Sequence, residues 1–305
     1  MSELLIGGLR VTNLRTLDLF SGIGGFTVAS ELAGGYETVA FCEIDKHARR
    51  VLSKHWPDVP IFEDVTKLTA DDIDGTVDVI TGGFPCQDLS SAGRGAGLGE
   101  GTRSGLFREM LRLACEIREK QGRLPYCVFE NVPRLLSGPS ENPGEWFGEF
   151  LWSLAEVGYD AEWFCITAAS IGAPHERERV CVVAYASEMQ CDECAAYDNN
   201  VCAQIPEFGS CHCQAHVAHT HQTSIERGSI SRRVYQEHAN LDRIPSQWSE
   251  WGGGEPEICG VDDGVPKGSH ARRNGMLGNA IVPQVFAIPM RALREAHFDT
   301  APAPC

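Results

Sequence analysis

Apolar residues along this chain fall into short blocks, and the blocks follow two different periods. Thr16–Phe20, Thr38–Cys42, Ile61–Val65, Val77–Thr81, Tyr126–Phe129, Ala161–Ala168 and Val180–Ala186 are short runs rich in β-branched and aromatic residues, and they predict strands. Between them, Phe26–Leu32 predicts a helix start, and Asp45–Trp56 and Trp146–Val157 predict helices; on Asp45–Trp56 the basic residues fall on the exposed face. Leu106, Phe107, Met110, Leu111, Ala114 and Ile117 recur at helical spacing and predict another helix, one with no assigned function beyond packing. Strands alternating with helices indicate an α/β fold, with a mainly parallel sheet and helices on both faces. Residues 1–15 read only as a lead-in.

The texture changes at Ala186. Residues 187–270 hold few periodic apolar runs and many Gly, His and Ser, which predicts a separate, small, loop-rich domain. Patterning returns at Gly275, and an apolar helix is expected over Val285–Ala296, with a frayed tail from Thr300. The expected organisation is therefore a first domain over 1–186, a second over 187–270, and a segment over 271–305 that returns to the first.

Several strand ends carry chemistry. Ser21-Gly22-Ile23-Gly24-Gly25 turns the first of these strands into a helix, a βα layout that lets backbone approach a ligand. The next strand ends at Glu43, about twenty positions on, where an acid suits a ribose diol. Asp64 ends a third, either as acceptor for an adenine amino group or as a local cap. The spacing is not a G-x-G-x-x-G, which disfavours a nicotinamide dinucleotide. Val77–Thr81 leads into Gly82-Gly83-Phe84-Pro85-Cys86-Gln87, a strand delivering one thiol to a Gly- and Ser-rich loop that runs to Gly101. Pro85 restricts the backbone beside Cys86. Cys86 is either a reactive group or a small buried hydrophobe. Tyr126–Phe129 ends at Glu130-Asn131-Val132, and His175-Glu176-Arg177-Glu178-Arg179 forms a charged turn before the last strand, a pattern that also fits a solvated, salt-bridged loop.

Taken together, Asp18-Leu19-Phe20-Ser21-Gly22-Ile23-Gly24-Gly25-Phe26, Gly83-Phe84-Pro85-Cys86-Gln87, Glu130-Asn131-Val132, Arg177-Glu178-Arg179 and Gly278-Asn279-Ala280 resemble the cytosine-C5 DNA methyltransferase family of bacterial and phage type. They occur in that family's order over 16–186 and 275–296. One departure is His175, where the family usually has Gln. The resemblance implies a Rossmann-like, S-adenosylmethionine-dependent methyltransferase sheet, with a target-recognition domain at 187–270. It implies a catalytic set of Cys86, Glu130, Arg179, Pro85 and Asn131, in which Cys86 adds to C6 of a flipped-out cytosine, Glu130 protonates toward N3 and Arg179 holds O2. It implies a cofactor pocket of Phe20, Gly22, Ile23, Gly24, Gly25, Glu43, Ile44, Asp64, Val65 and Asn279. Double-stranded DNA is the implied partner, met by Gln87, Ser90, Arg94, Arg177, Arg232 and Arg233; Arg177 could instead support the loop. A functional link to a restriction endonuclease, DNA methylation in the cytoplasm of a prokaryote or a phage host, and a monomeric state also follow from it. An RNA cytosine methyltransferase, or a silent DNA-binding relative, has the same core.

Charge complicates this picture. The chain carries 42 acids against 26 Lys and Arg, a net charge of −16. Residues 187–270 alone hold thirteen acids and five basic residues, so basic groups are expected to be sorted onto a DNA-facing cleft. Of the thirteen cysteines, five lie between Cys191 and Cys213. Cys191, Cys194, Cys211 and Cys213, with Cys202, His212 and His216 nearby, could hold zinc, although Cys211-His212-Cys213 is tight for a zinc knuckle, and a reduced loop fits as well. No apolar run approaches the ~20 residues of a membrane span, and Met1–Leu5 lacks the start of a signal peptide, so no membrane partner is expected.

Overall fold

The computed structural model describes residues 4–6, 9–11, 13–85, 104–138, 143–173, 177–187 and 280–300. An antiparallel pair, β1 (Leu4–Ile6) and β2 (Leu9–Val11), occupies the segment expected to be only a lead-in. Its strands are three residues each, too short to show a period.

The seven other strands form one sheet. They are β3 (Leu14–Leu19), β4 (Tyr36–Cys42), β5 (Ile61–Phe62), β6 (Val79–Gly83), β7 (Tyr126–Asn131), β8 (Tyr159–Thr167) and β9 (Glu178–Ala186), in the order β5-β4-β3-β6-β7-β9-β8. β5, β4, β3, β6 and β7 run parallel, and β9 pairs antiparallel with both β7 and β8. The chain starts in the middle, moves out through β4 and β5, then returns to add β6 and β7 on the other side of β3. That reversal leaves a crevice at the carboxyl ends of β3 and β6, where open α/β sheets bind ligands.

Both faces of the sheet are covered, which is why its strands read as near-continuous apolar runs. Period-two alternation divides them between two cores. Ile80, Cys127, Phe129, Val180 and Val182 face one core; Val79, Val128, Cys181 and Val183 face the other. The first core is closed by α3 (Phe107–Gln121) and α5 (Glu145–Glu156), through Phe107, Met110, Phe147 and Phe150. The second is closed by α1 (Gly25–Ala33) and by α6 (Pro283–Thr300), through Phe26, Ala29, Val285 and Phe286. The Phe26 and Phe286 rings meet edge-on at 5.1 Å.

Two further helices lie beyond strand ends. α2 (Lys46–His55) follows β4 and is capped by Asp45, whose carboxylate accepts from the His47 and Ala48 N–H groups. α4 (Arg134–Ser137) is a single turn after β7. The described part of the C-terminal segment packs beside the sheet: Arg294 donates to the Ala33 and Gly34 carbonyls at the end of α1, and Tyr36 Oη donates to the Met290 carbonyl. The loop-rich domain expected over 187–270 lies outside the described residues, apart from Ser187. Among the described residues no helix is long and apolar enough to cross a membrane.

Candidate active site at the carboxyl edge of the sheet

Four strand ends and one strand beginning meet along a single edge. β3 ends at Leu19, in register with Cys42 of β4 and Gly82 of β6, and Gly83 of β6 is level with Glu130 of β7. β9 is antiparallel, so its first residues, Glu178 and Arg179, arrive at the same edge as the last residues of β7.

One half of this edge brings the glycine turn together with two carboxylates. Phe20 leaves β3 with φ 52°, in the left-handed region that a bulky side chain rarely occupies. Such strain concentrates at ligand sites. Gly22 follows at φ 55°, and the space a Cβ would take there is open. Gly24, at φ 88°, has no such space: a Cβ would lie 2.4 Å from the Trp56 ring. Gly25 admits Ile281 at the start of the returning segment, where a Cβ would lie 2.6 Å from Ile281 Cγ1. The Glu43 carboxylate is fixed by two backbone donors at 2.7 Å each, Gly22 N–H to Oε2 and Asp45 N–H to Oε1. It therefore ties the glycine turn to the end of β4. Ile44 beside it is 78% exposed.

Asp64 accepts from Thr66 N–H at 3.1 Å and Thr66 Oγ1–H at 2.7 Å, and these bonds, led by the hydroxyl, hold its pKa below the usual range. Of the two sequence alternatives for Asp64, these bonds show the local cap. Val65 behind it is buried. Two spaced carboxylates beside a glycine cradle with open space suit a ribose diol and an amino-purine. Asn279 lies outside the described residues; its neighbour Ala280 begins the returning segment.

The other half of the edge is built around Glu130. Its carboxyl is mostly buried, with 13% of the side chain exposed, and Arg179 Nε lies 2.7 Å from Oε1. The two groups form a close, largely buried ion pair. Burial pushes the Glu130 carboxyl above its ordinary range, against the opposing pull of Arg179 and Arg177. Gly83 makes room for it: a Cβ there would sit 2.7 Å from Glu130 Oε2.

Asn131 is buried, and its Nδ2 donates to the Phe84 carbonyl at 3.2 Å while Oδ1 accepts Val132 N–H at 2.9 Å. Phe84 itself is locked among Phe107, Phe129 and Phe150, with centroids 5.6, 6.4 and 5.8 Å away. These contacts anchor the chain immediately before Pro85, which is half-buried.

Arg177 was expected at DNA or supporting the loop. It is half-buried and donates to the Ala280 carbonyl at 2.6 Å, linking the charged turn to the returning segment. Burial, then Arg179, lowers its pKa. The charged turn is thus more than a solvated loop, since Arg179 is only 17% exposed. Cys86, Gln87, Ser90, Arg94, His175, Arg232, Arg233 and the cysteines from Cys191 to Cys213 lie outside the described residues. Among the described residues no cluster of three metal-binding side chains occurs. The sequence reading missed Trp56 beneath Gly24 and the role of Gly83; the Gly82-Gly83 pair at a strand end was the available sign.

Known proteins are similar to this chain. The chain is 36% identical over 171 residues to the type II methyltransferase M2.BsuMI of Bacillus subtilis, covering 56% of this chain and 42% of the relative. It is 35% identical over 167 residues to the type II methyltransferase M.CviJI of Paramecium bursaria Chlorella virus IL3A, covering 55% and 42%. The matched region thus spans under half the length of these relatives. The S. pombe Dnmt2 methyltransferase structure shares the fold at TM-score 0.54 and 18% identity, over 93% of this chain and 99% of that one. The model of the C-5 cytosine-specific DNA methylases matches residues 14–252, well over half of the chain, and the protein belongs to that family.

Proposed function

We propose that the chain transfers a methyl group from S-adenosylmethionine to C5 of a cytosine flipped out of double-stranded DNA, through a covalent bond from Cys86 to C6. The observation that supports this most is the buried Glu130–Arg179 pair, one strand from the Phe84-Pro85 anchor and on the same edge as Glu43 and Asp64.

Cytosine C5 is a weak nucleophile. Addition of a thiolate at C6 makes it enamine-like, and negative charge spreads toward N3. S-adenosylmethionine, when bound, supplies an electrophilic methyl on sulfonium; the remaining tasks fall to this chain. Glu43 and Asp64 would bind its ribose hydroxyls and adenine amine, beside Phe20, Gly22, Ile23, Gly24, Gly25, Ile44, Val65 and Asn279. Cys86 would provide the thiolate; an unassisted thiol near pKa ~8.5 is only a few per cent ionised at neutral pH. Glu130 would hold a proton at N3, a task that requires the neutral acid that burial favours. Such acid assistance contributes typically ~10²–10⁴-fold. Arg179 would direct its donor to O2 and keep the base against Glu130. Asn131 and Pro85 would fix where the Cys86 sulfur starts. After methylation, water takes the C5 proton, the C5–C6 double bond re-forms as the Cys86–C6 bond breaks, the sulfur leaves as thiolate, and the N3 proton returns to Glu130.

Taking the base out of the duplex costs a few kcal/mol. The segment from Gln87 to Gly101 would close over it, with Ser90 and Arg94 at the DNA, and Arg232 and Arg233 on the backbone from the 187–270 module. We assign that module to target recognition, and the protein to a monomer acting in the cytoplasm of a prokaryotic or phage-infected cell, alone or in a restriction–modification pair.

DNA carrying 5-fluorocytosine tests the proposal. Fluorine cannot leave as the C5 proton does, so with S-adenosylmethionine a covalent protein–DNA adduct should accumulate and disappear in Cys86→Ala. An adduct with RNA but with no duplex DNA would overturn the substrate; no adduct with either would overturn the covalent mechanism.

A further inference from the structure

We infer that Arg49 and Arg112 are positioning residues for the cofactor's adenosyl group, acting through the loops that carry Glu43 and Asp64; this rests on the reading of those two acids given above. Each arginine comes from a neighbouring helix and grips backbone carbonyls at one of the acids. Arg49 of α2 donates through Nη1 to the Glu43 carbonyl at 3.0 Å and the Ile44 carbonyl at 2.7 Å, and through Nη2 to Glu63 Oε1 at 2.8 Å. Arg112 of α3 donates through Nη2 to the Val65 carbonyl at 2.8 Å and the Leu68 carbonyl at 2.9 Å.

The two guanidiniums are themselves held. Arg49 is 20% exposed. Arg112 is oriented by Glu109 at 2.8 Å and Glu116 at 2.5 Å, on the turns before and after it. Glu116 also accepts Ala70 N–H at 3.0 Å, and Lys120, one turn further, donates to the Ala70 and Ile73 carbonyls at 2.8 Å. Residues 112, 116 and 120 therefore form a polar ladder at helical spacing, and it satisfies backbone groups from Val65 to Ile73. Each guanidinium binds two carbonyls through one nitrogen and a carboxylate through another, a fixed fork that an ammonium does not impose. Neither arginine needs to touch the cofactor; Arg49 holds the carbonyl of Glu43 itself, and Arg112 holds that of Val65, the residue after Asp64.

The experiment is calorimetric binding of three ligands to the full chain: S-adenosylhomocysteine, its analogue lacking the purine 6-amino group, and its analogue lacking both ribose hydroxyls. Arg112→Met should weaken S-adenosylhomocysteine at least fivefold and the desamino analogue less than twofold. Arg49→Met should show the same selectivity toward the dideoxy analogue. The R49K and R112K variants should recover part of each loss.

Glu43→Gln and Asp64→Asn are the direct comparisons. If they weaken binding with matching ligand selectivity but the arginine variants bind normally, the clamp is overturned and the acids keep their role. Equal losses on all three ligands would mean general destabilisation and would also overturn it. If D64N and E43Q bind normally, the reading of the acids fails and the clamp fails with it.

Discussion

Gly83→Ala replaces one hydrogen by a methyl group on a strand, and its effect should fall on rate rather than folding. The backbone of Gly83 is not in the left-handed region, so alanine is tolerated there. The new Cβ, however, starts 2.7 Å from Glu130 Oε2. A relaxed carbon–oxygen contact is about 0.7 Å longer, taking ordinary non-bonded separations of ~3.4 Å and more. The carboxylate must therefore swing by most of an ångström, and it has little freedom to do so, being mostly buried and held against Arg179. A misplacement of about 1 Å at reacting groups can cost on the order of 10²-fold. We expect kcat to fall roughly 10- to 100-fold, at or below the lower bound of the ~10²–10⁴-fold loss of an acid catalyst removed outright. Cofactor binding should be unchanged. Gly82→Ala is the internal contrast, because its Cβ points to the other side of the strand. There it meets Met110 Sδ at 2.9 Å and the Leu19 carbonyl at 3.2 Å. Overpacking of that kind costs ~1–3 kcal/mol of stability. The assay is transfer of labelled methyl groups to mixed-sequence DNA, run beside thermal unfolding and S-adenosylhomocysteine binding. A G83A enzyme with kcat within twofold of the parent would refute the claim that Gly83 exists to seat Glu130.

Asp18 is fully buried, accepts from Thr27 Oγ1 at 3.0 Å and Thr81 Oγ1 at 3.1 Å, and burial raises its pKa from 3.8 to about 7. A raised carboxyl contributes stability that is present below the unfolded pKa and is lost as pH rises through the folded one, so unfolding free energy should decline between about pH 4 and 7 by on the order of 4 kcal/mol. Asp18→Asn should flatten that slope in urea titrations across pH; an unchanged slope would refute the assignment. Glu130 shifts in the same direction, so the rate with a fully ionised nucleophile should fall as pH rises through its raised pKa, and Glu130→Gln should abolish that limb in a pH–rate profile. Gly24→Ala combines a disfavoured φ with a clash on Trp56, and calorimetry should find S-adenosylhomocysteine binding weakened more than tenfold; Trp56→Ala in the same chain should recover part of it. Arg177→Ala removes the bond to the Ala280 carbonyl, and hydrogen exchange should rise in Ile281–Val285 while the α3 amides stay protected.

The strands were legible because both faces are buried, so the sequence shows them as dense apolar runs ending where the polar residues begin. Glu43, Asp64 and Glu130 therefore read directly from the sequence as strand-end residues. Residues acting at a distance were not legible in the same way. Arg49 reads as one of several exposed basic residues on an amphipathic helix, yet it is largely buried against the Glu43 loop. Arg112 lies on a helix whose periodicity announces only packing. A side chain that binds carbonyls 47 and 44 residues away leaves no spacing to find. The β1–β2 pair was missed for a simpler reason, since three-residue strands are shorter than the window any period needs.

Arg179 shows why direction, and not only order, decides this site. In a sheet with every strand parallel, the first residue of a strand lies at the edge opposite to the last residue of its neighbour. A six-residue strand at about 3.3 Å per residue would then separate Arg179 from Glu130 by roughly 20 Å. Because β9 runs against β7, with Val180 level with Asn131, its opening residues fall beside Glu130. The turn before β9 also becomes available to the returning segment, which Arg177 binds at Ala280. One antiparallel strand thus gathers Arg179, Glu130 and the Arg177 anchor of the C-terminal segment at the crevice where the parallel strands end. Reversing that strand would leave every apolar position satisfied and remove the site. The charged residues that begin β9, and not its apolar interior, are therefore where function constrains its direction.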